Sequence, residues 1–192
     1  MRLSKPRRLS YSSGMITNEV PVADLAAAIR NIPDFPKAGI QFKDITPVLA
    51  DARLFAGSID LLTGRFPPGS VDTVVGIDAR GFIFAAAAAL KLKAGFVPVR
   101  KKGKLPYKTH EEDYALEYGH ATVAMHIDAL KPGARVLLID DLLATGGTAA
   151  AAVALMKKLK AQILEIGFLI ELKFLNGREK LKNHPIRSIV VY

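Results

Sequence analysis

The chain contains no cysteine and no run of apolar residues long enough to cross a membrane. Because none of its 192 residues is cysteine, a disulfide framework, a thiolate metal site and a cysteine nucleophile are all excluded. The apolar runs stay well below the roughly 18 residues that a membrane-spanning helix needs. We therefore expect a cytoplasmic protein that has no membrane partner.

Three common nucleotide-binding or catalytic turns are also missing. The sequence has no G-x-G-x-x-G, no G-x-x-x-x-G-K-[ST] and no G-x-S-x-G, so a dinucleotide enzyme, a P-loop NTPase and a serine hydrolase are not supported. The histidines lack the spacing of metal ligands, and none is predicted to bind a metal. They are His110, His120, His126 and His184.

Positive charge dominates, with a formal net charge of +9. Residues 1–19 supply four basic side chains from Arg2 to Arg8, and we predict that this segment is a basic, disordered extension. Residues 20–192 are predicted to form a single domain. No winged helix, zinc finger or aromatic-interleaved basic strand is visible, so we predict polyanionic small molecules rather than nucleic acid as partners.

Strand and helix patterns alternate along most of the chain. Short branched apolar runs predict strands, and alanine-rich or helically spaced segments predict the helices between them. The predicted helices are Asp24–Ile32, Ala52–Leu62, Gly81–Lys93 and Ala149–Lys160, and the predicted strands are Val71–Ile77, Phe96–Val99, Ala121–Met125, Val136–Ile139 and Ile163–Leu172. This alternation predicts an α/β fold with a doubly wound, mostly parallel sheet flanked by helices.

Two segments fall outside this alternation. Residues 33–47 contain several prolines and are predicted to lack regular structure, as a surface loop or small subdomain, so we assign 33–50 as a small N-terminal hood. Residues 101–120 are strongly charged and aperiodic, which predicts a long mobile loop or a hairpin connection. Long loops beside phosphate sites often close over them.

The most informative stretch joins the Val136–Ile139 strand to the helix that begins after Thr148. A strand that enters a helix through a glycine-rich turn directs unpaired N–H groups and the positive end of the helix dipole at an anion. The turn therefore predicts a phosphate site, to which the two threonine hydroxyls add donors. Its residues are Ala144, Thr145, Gly146, Gly147 and Thr148.

Two neighbouring carboxylates, Asp140 and Asp141, precede this turn at the carboxyl end of the strand, where open α/β sheets bind their ligands. They suit the 2- and 3-hydroxyls of a ribose that carries a 5-phosphate. The alternative is an acidic pair that caps a helix, and the adjoining Thr-Gly-Gly-Thr turn makes it the weaker reading.

Basic side chains occur at two further strand ends. Arg80 begins a predicted helix after Asp78 and Ala79, where its guanidinium could bind two pyrophosphate oxygens, although a surface arginine at a helix start is the alternative. Arg100 and Lys104 belong to a cluster of four cations, for which solvated loop charge is an equally good explanation.

Together these motifs resemble the type I phosphoribosyltransferases, in particular the members that act on adenine. Asp140-Asp141 with Ala144-Thr-Gly-Gly-Thr148 is similar to their phosphoribosyl pyrophosphate signature. Five further segments match in order between about residues 20 and 192. They are Ile32-Pro-Asp-Phe-Pro36, Gly39-Ile-Gln-Phe-Lys-Asp-Ile-Thr-Pro47, Gly76-Ile-Asp-Ala-Arg-Gly-Phe82, Arg100-Lys-Lys-Gly-Lys-Leu-Pro106 and Leu116-Glu-Tyr-Gly119.

The resemblance implies transfer of the 5-phosphoribosyl group from phosphoribosyl pyrophosphate to adenine, with Mg²⁺ held mainly by substrate and water. It implies Glu117 as the acid/base, Tyr118 as a lid over the site and Phe42 as the aromatic that stacks on adenine. Pyrophosphate would be bound by Asp78, Ala79, Arg80, Arg100 and Lys104, with Arg80 also catalytic, and the adenine edge would be recognised by the backbone of Gln41 and Lys43.

The resemblance further implies a homodimer and a cis peptide bond between Ala79 and Arg80. Two other functions remain open at this point: transfer to another purine base, and a phosphoribosyl pyrophosphate-responsive regulator on the same fold. Fold alone does not separate an enzyme from a sensor.

Overall fold

A computed structural model describes residues 20–115 and 119–192. One sheet contains seven strands, and a separate two-stranded ribbon precedes it. The strands of the large sheet are β3 Thr73–Ile77, β4 Gly95–Lys101, β5 Thr109–Ala115, β6 His120–His126, β7 Arg135–Leu143, β8 Gln162–Glu171 and β9 Ile186–Val191. Their spatial order is β5-β6-β4-β3-β7-β8-β9.

The centre and one side of the sheet are parallel, which confirms the predicted fold class. Strands β4, β3, β7, β8 and β9 run parallel, whereas β6 pairs antiparallel with both β4 and β5. The antiparallel hairpin at one edge makes the sheet mixed, and β9 adds a parallel strand that we did not predict from the sequence.

Helices cover both faces of the sheet. The three longer ones are α3 Ala52–Thr63, α4 Gly81–Leu92 and α5 Gly147–Lys158. Because side chains alternate across a strand, Leu137 and Ile139 of β7 pack on the side of α3 and α4. Val136 and Leu138 pack on the opposite side, against α5. The continuous apolar run in β7 is thus explained by burial on both faces.

This winding brings two strand-to-helix junctions together. Strands β3 and β7 are adjacent and parallel, with Gly76 opposite Ile139, so the junctions that begin α4 and α5 lie at the same edge of the sheet. In open α/β sheets this carboxyl edge is where ligands bind.

The N-terminal region is more regular than the sequence suggested. Helix α1 Val22–Ala28 ends earlier than predicted, and β1 Arg30–Pro33 pairs antiparallel with β2 Gln41–Asp44 before the short helix α2 Thr46–Ala50. The prediction of irregular backbone over 33–47 was therefore wrong in part. Its prolines are compatible with these elements because Pro33 ends a strand and Pro47 lies in the first turn of a helix, where no amide hydrogen is needed.

In the 101–120 segment, residues 109–115 form β5 and pair with β6 along their whole length. A hairpin, one of the two predicted forms, is therefore present there. Within the described ranges, no helix is both long and apolar enough to cross a bilayer.

Candidate active site

The glycine-rich turn forms the start of α5. Gly146 adopts a left-handed conformation at φ +76°, and the helix begins at Gly147, two residues earlier than predicted. The helix therefore starts inside the Thr145–Thr148 turn, and the first amides of a helix have no acceptor within it. An anion at this end would meet those amides and the positive end of the dipole.

A second turn packs directly on this one. A Cβ on Gly146 would lie 2.3 Å from the carbonyl oxygen of Gly177, and one on Gly177 would lie 2.2 Å from the carbonyl oxygen of Ala144. Both distances are shorter than real carbon–oxygen contacts, so the two backbones approach as closely as they do only because both residues are glycine. The sequence motif does not predict the contact between Gly177 and Gly146, because the two residues are 31 positions apart and no local pattern connects them.

Asp140 and Asp141 lie within β7 rather than just after it. The strand continues through both residues to Leu143, which corrects the predicted end at Ile139. The amide of Asp141 donates a 2.9 Å hydrogen bond to Oδ1 of Asp140. A Cβ on Gly81, at the start of α4, would lie 2.3 Å from the same oxygen. The absence of a side chain at Gly81 thus allows α4 to approach Asp140.

Both carboxyl groups are poorly solvated. Burial, together with the charge of Asp141, raises the pKa of Asp140 well above its ordinary value. Burial also raises the pKa of Asp141, against the opposing charge of Arg80. Oδ2 of Asp141 is buried and accepts no hydrogen bond within the described part of the chain. Its charge is instead balanced by the guanidinium of Arg80, which lies against it in an ion pair.

Arg80 connects three of the predicted subsites. Its Nη2 lies 2.5 Å from Oδ2 of Asp141 in an ion pair, and its Nη1 donates to the carbonyl oxygen of Lys43 at 3.4 Å. Its guanidinium carbon lies 5.0 Å from the centre of the Phe42 ring, within cation–π range. The structure therefore places the arginine predicted for pyrophosphate between the carboxylates predicted to bind ribose and the segment predicted to bind adenine.

The other pyrophosphate candidates meet beside Arg80. Nε of Arg100 donates to Oδ2 of Asp78 at 3.1 Å, and its Nη1 donates to the carbonyl oxygen of Lys104 at 3.0 Å. Arg100 thus ties the turn after β3 to the loop after β4. The cis peptide bond lies between Asp78 and Ala79, one bond before the Ala79–Arg80 position that the resemblance implied.

The segment predicted to bind adenine forms β2. Phe42 contacts Phe35 edge to face with ring centres 5.1 Å apart, and Phe35 is 51% exposed. The side chain of Asn31 donates to Gln41 at 2.6 Å, and the Lys43 ammonium lies 3.7 Å from the centre of the Tyr192 ring. The aromatic pair presents an apolar surface next to Arg80. The sequence predicts no role for Phe35, which the structure places against Phe42.

Glu117 and Tyr118 lie outside the described residues. The strand that precedes them ends at Ala115, whose carbonyl oxygen is 3.3 Å from a Cβ position on Gly147. The ring of Tyr114 is 3.1 Å from the same position. The end of β5 therefore lies against the first residue of α5.

Acidic and histidine side chains are not grouped for a protein-only metal site. Over residues 20–115 and 119–192, no cluster of three or more His, Asp and Glu side chains could hold an ion. The Asp140–Asp141 pair offers carboxylate oxygens, the ligands that Mg²⁺ prefers, but a full octahedral shell would need substrate oxygens and water.

This combination of a doubly wound sheet, an acidic pair and a glycine-rich helix start is that of a phosphoribosyltransferase domain. Residues 41–190 match the family described as phosphoribosyl transferase domain. The match includes β2, both strand-to-helix junctions and the 177–181 turn.

Individual proteins similar to this chain identify a narrower family. The chain is 55% identical over 175 residues to adenine phosphoribosyltransferase from Acidothermus cellulolyticus, covering 89% of this chain and 99% of the relative. The structure of adenine phosphoribosyltransferase from Rhodothermus marinus DSM 4252 shares 49% identity at a TM-score of 0.85, with 89% and 98% covered. The Saccharomyces cerevisiae enzyme, solved with an imino-altritol bisphosphate and adenine, shares 41% at 0.83, with 88% and 97% covered. The chain belongs to the adenine phosphoribosyltransferase family.

Proposed function

We propose that this protein transfers the 5-phosphoribosyl group from phosphoribosyl pyrophosphate to adenine and releases AMP and pyrophosphate, a step of purine salvage. The position of Arg80 carries the proposal, because its guanidinium contacts both Asp141 and the Lys43 carbonyl beside Phe42. Ribose, pyrophosphate and adenine subsites therefore converge within the reach of one side chain, as displacement at a single carbon requires.

The ribose 5-phosphate would bind along the β7–α5 junction. The amides and threonine hydroxyls of residues 144–148 suit the phosphate, and the carboxylates of Asp140 and Asp141 suit the 2- and 3-hydroxyls. Holding both ends of the sugar fixes the anomeric carbon, and such positioning removes much of the entropic cost of bringing two substrates together.

The pyrophosphate would bind between Arg80 and the Asp78–Arg100 pair. Displacement at the anomeric carbon passes through an oxocarbenium-like state, in which negative charge accumulates on the leaving group. The guanidinium groups of Arg80 and Arg100 are held in place by Asp141 and Asp78. They can stabilise that charge without first having to be oriented. Lys104, whose carbonyl accepts from Arg100, would add a third cation.

Adenine would stack on Phe42, with its edge recognised by the backbone of Gln41 and Lys43. These residues form a short strand whose partner carries Asn31 and Ile32, so the backbone direction is set by pairing rather than by side chains. Glu117, with Tyr118 closing over the site, would manage the proton on the purine imidazole ring. The position of Ala115 against Gly147 supports this, since it brings the chain leading to Glu117 to the phosphate site.

Mg²⁺ would neutralise the leaving pyrophosphate. We propose that the ion is held mainly by substrate phosphates, ribose hydroxyls and water, with no direct protein ligand. This agrees with the way Mg²⁺ usually binds in phosphate-handling sites. The chain's own contribution would be Asp140 and Asp141, which orient the hydroxyls.

We also propose a homodimer that acts in the cytoplasm. Helix α4 is apolar on its outer face as well as on its inner one. Leu90 is 84% exposed and Ile83 is 40% exposed, and Phe96, in contact with Phe82, is 37% exposed. A helix that is apolar all round is ordinarily buried, and a second copy of the chain would cover this face.

A panel of purine bases tests the function. Adenine, hypoxanthine, guanine and xanthine would each be mixed with phosphoribosyl pyrophosphate and Mg²⁺, and pyrophosphate release would be followed. We expect release with adenine alone or at least far faster than with the others. Activity with hypoxanthine but not with adenine would show that the substrate is another base. Binding of DNA or RNA with no turnover of any base would instead indicate a regulator.

A further inference from the structure

The 177–181 turn reaches the phosphate site from outside the motif that defines it. Gly177 packs against Gly146 and Ala144, and the turn continues as a short 3₁₀ helix to Leu181. Lys180 extends from this turn, and its Nζ lies 3.8 Å from a Cβ position on Gly147, the first residue of α5. A primary ammonium group is thus present at the helix end where the 5-phosphate would bind.

Three contacts fix the turn that carries Lys180. Leu181 is 1% exposed and belongs to the core beneath α5. Arg178 forms a two-pronged ion pair with Glu171 of β8, with Nε 2.7 Å from Oε1 and Nη2 2.7 Å from Oε2. Nη2 also donates to the hydroxyl of Ser188 at 3.1 Å. Glu171 is buried whereas the Arg178 side chain is 45% exposed, and these charge-assisted hydrogen bonds hold the turn to β8.

Resting on the proposed function, we propose that Lys180 is a binding residue for the substrate's 5-phosphate. Gly177 and Leu181 are buried, and Arg178 is bonded to Glu171, so the turn that carries the exposed Lys180 is held against the rest of the fold. Within the described ranges, Lys180 forms no salt bridge that would compete for its charge. A terminal phosphate carries nearly two negative charges at neutral pH, more than the partial positive charge of a helix start. A full cation beside Gly147 would supply the balance.

The consequence is selectivity for phosphorylated over unphosphorylated nucleosides. The ammonium of Lys180 would attract the phosphate in addition to the helix amides, and it offers no such attraction to a nucleoside without a phosphate. Lys180 should therefore matter for AMP and phosphoribosyl pyrophosphate and be irrelevant to adenosine, which lacks the phosphate.

Calorimetric titration of Lys180→Met, Lys180→Arg and Lys182→Met with AMP and with adenosine tests this proposal. Lys182 is an exposed cation just beyond the same turn. Its substitution by methionine therefore removes the same charge from a different position. We expect Lys180→Met to weaken AMP binding about tenfold, the scale of a charge-assisted hydrogen bond. Adenosine binding should stay as in the unaltered protein, Lys180→Arg should restore most of the AMP affinity, and Lys182→Met should leave it unchanged.

Unchanged AMP affinity in Lys180→Met would overturn the proposal, and so would equal losses in the Lys180→Met and Lys182→Met variants. Circular dichroism of each variant would establish that it is folded, which the exposed position of Lys180 favours. Adenine turnover by the unaltered protein separates the two proposals. If the unaltered protein is active and Lys180→Met binds AMP normally, the role of Lys180 alone is wrong. If the unaltered protein neither turns over adenine nor binds AMP, the proposed function itself is wrong.

Discussion

Nη2 of Arg80 lies 2.5 Å from Oδ2 of Asp141, whose side chain is only 8% exposed. Arg80 directly precedes helix α4, and Asp141 lies on strand β7, so their ion pair joins the two strand-to-helix junctions of the site. A carboxylate that is buried to this extent needs a partner, because an unpaired buried charge is strongly unfavourable. The same guanidinium is placed to meet a pyrophosphate, and structural and catalytic demands therefore coincide at Arg80.

Replacement of Arg80 by glutamine should separate those demands. We expect kcat/KM with phosphoribosyl pyrophosphate to fall roughly 10²-fold, the usual effect of removing one donor to a developing charge. The free energy of unfolding should fall by about 1 to 3 kcal/mol, because Asp141 loses its ion-pair partner. Steady-state kinetics and urea unfolding measure the two effects.

Arg53→Gln is the matched control for Arg80→Gln. Arg53 pairs with Asp24 at 2.9 Å, but both side chains are about half exposed and lie away from the site. An exposed pair of this kind is worth about 0 to 1 kcal/mol, so both kinetics and stability should be nearly unchanged. An Arg80→Gln enzyme as active as this control would show that Arg80 has no catalytic role.

The poorly solvated acid Asp140 should make the protein less stable as the pH rises. Its pKa is raised by burial and by Asp141, so the folded state holds a proton that the unfolded state has released. Between the unfolded pKa near 3.9 and the raised folded pKa, each increase in pH therefore favours unfolding. Asp140→Asn removes this dependence. The variant should be more stable than the unaltered protein at pH 7 by about 1 kcal/mol. At a pH below the unfolded pKa, the two proteins should have the same free energy of unfolding. The kcat/KM of the variant should fall.

Asp72→Asn should behave in the opposite way. Hydrogen bonds from the side chain and amide of Arg135 lower the pKa of Asp72 to about 2. That carboxylate therefore stabilises the fold above its unfolded pKa, and the contribution is lost as the pH falls toward the folded value. The variant should be less stable than the unaltered protein at pH 7, with the difference disappearing in acid. Urea unfolding at several pH values checks both signs, and parallel pH profiles for the two variants would contradict the assignment.

Local signals predicted the core of this fold, and non-local contacts limited the prediction. The apolar run of β7, the glycine-rich turn and the alanine-rich helix after it each specify their own structure within a few residues. The antiparallel pairing of β1 with β2 depends instead on residues about ten positions apart, and prolines at both ends obscured it. Strand β7 was predicted to end at Ile139, where the continuous apolar run stops, but pairing with β8 extends it to Leu143.

The same distinction holds for the candidate site. The acidic pair and the phosphate turn are contiguous in sequence and could be predicted with their chemistry. Gly177 and Lys180 reach the turn across more than 30 positions, and no spacing rule connects them to it. The ion pair of Arg80 with Asp141 was not predicted either, since a sequence does not reveal which of several anions an arginine will contact.

Gly146→Ala should disrupt the phosphate turn. A methyl group there would lie 2.3 Å from the Gly177 carbonyl oxygen, at a residue with φ +76°. We expect a loss of about 3 kcal/mol in unfolding free energy, from the left-handed backbone and the forced separation of the two turns together. The KM for phosphoribosyl pyrophosphate should rise sharply.

Gly69→Ala is the control, because Gly69 has φ +84° with nothing within 4 Å of its Cβ position. It should lose only about 1 kcal/mol from backbone strain, with normal kinetics. Equal effects of the two substitutions on KM would mean that contact with Gly177 is unimportant for the site.

Glu117→Gln tests the proposed acid/base. Glutamine keeps the shape and the hydrogen-bonding oxygen of glutamate but neither accepts nor delivers a proton at neutral pH. The rate of the chemical step should therefore fall by roughly 10² or more, the usual contribution of a positioned acid or base. Single-turnover mixing is the appropriate measurement, because slow product release can hide a change in chemistry from kcat.

Glu112→Gln serves as the control. Glu112 lies on β5, pairs with Lys158 at 2.6 Å and has no assigned role. A single-turnover rate for Glu117→Gln that equals the control's would remove Glu117 from the mechanism, and the imidazole proton of adenine would then have to be managed by another group or by water.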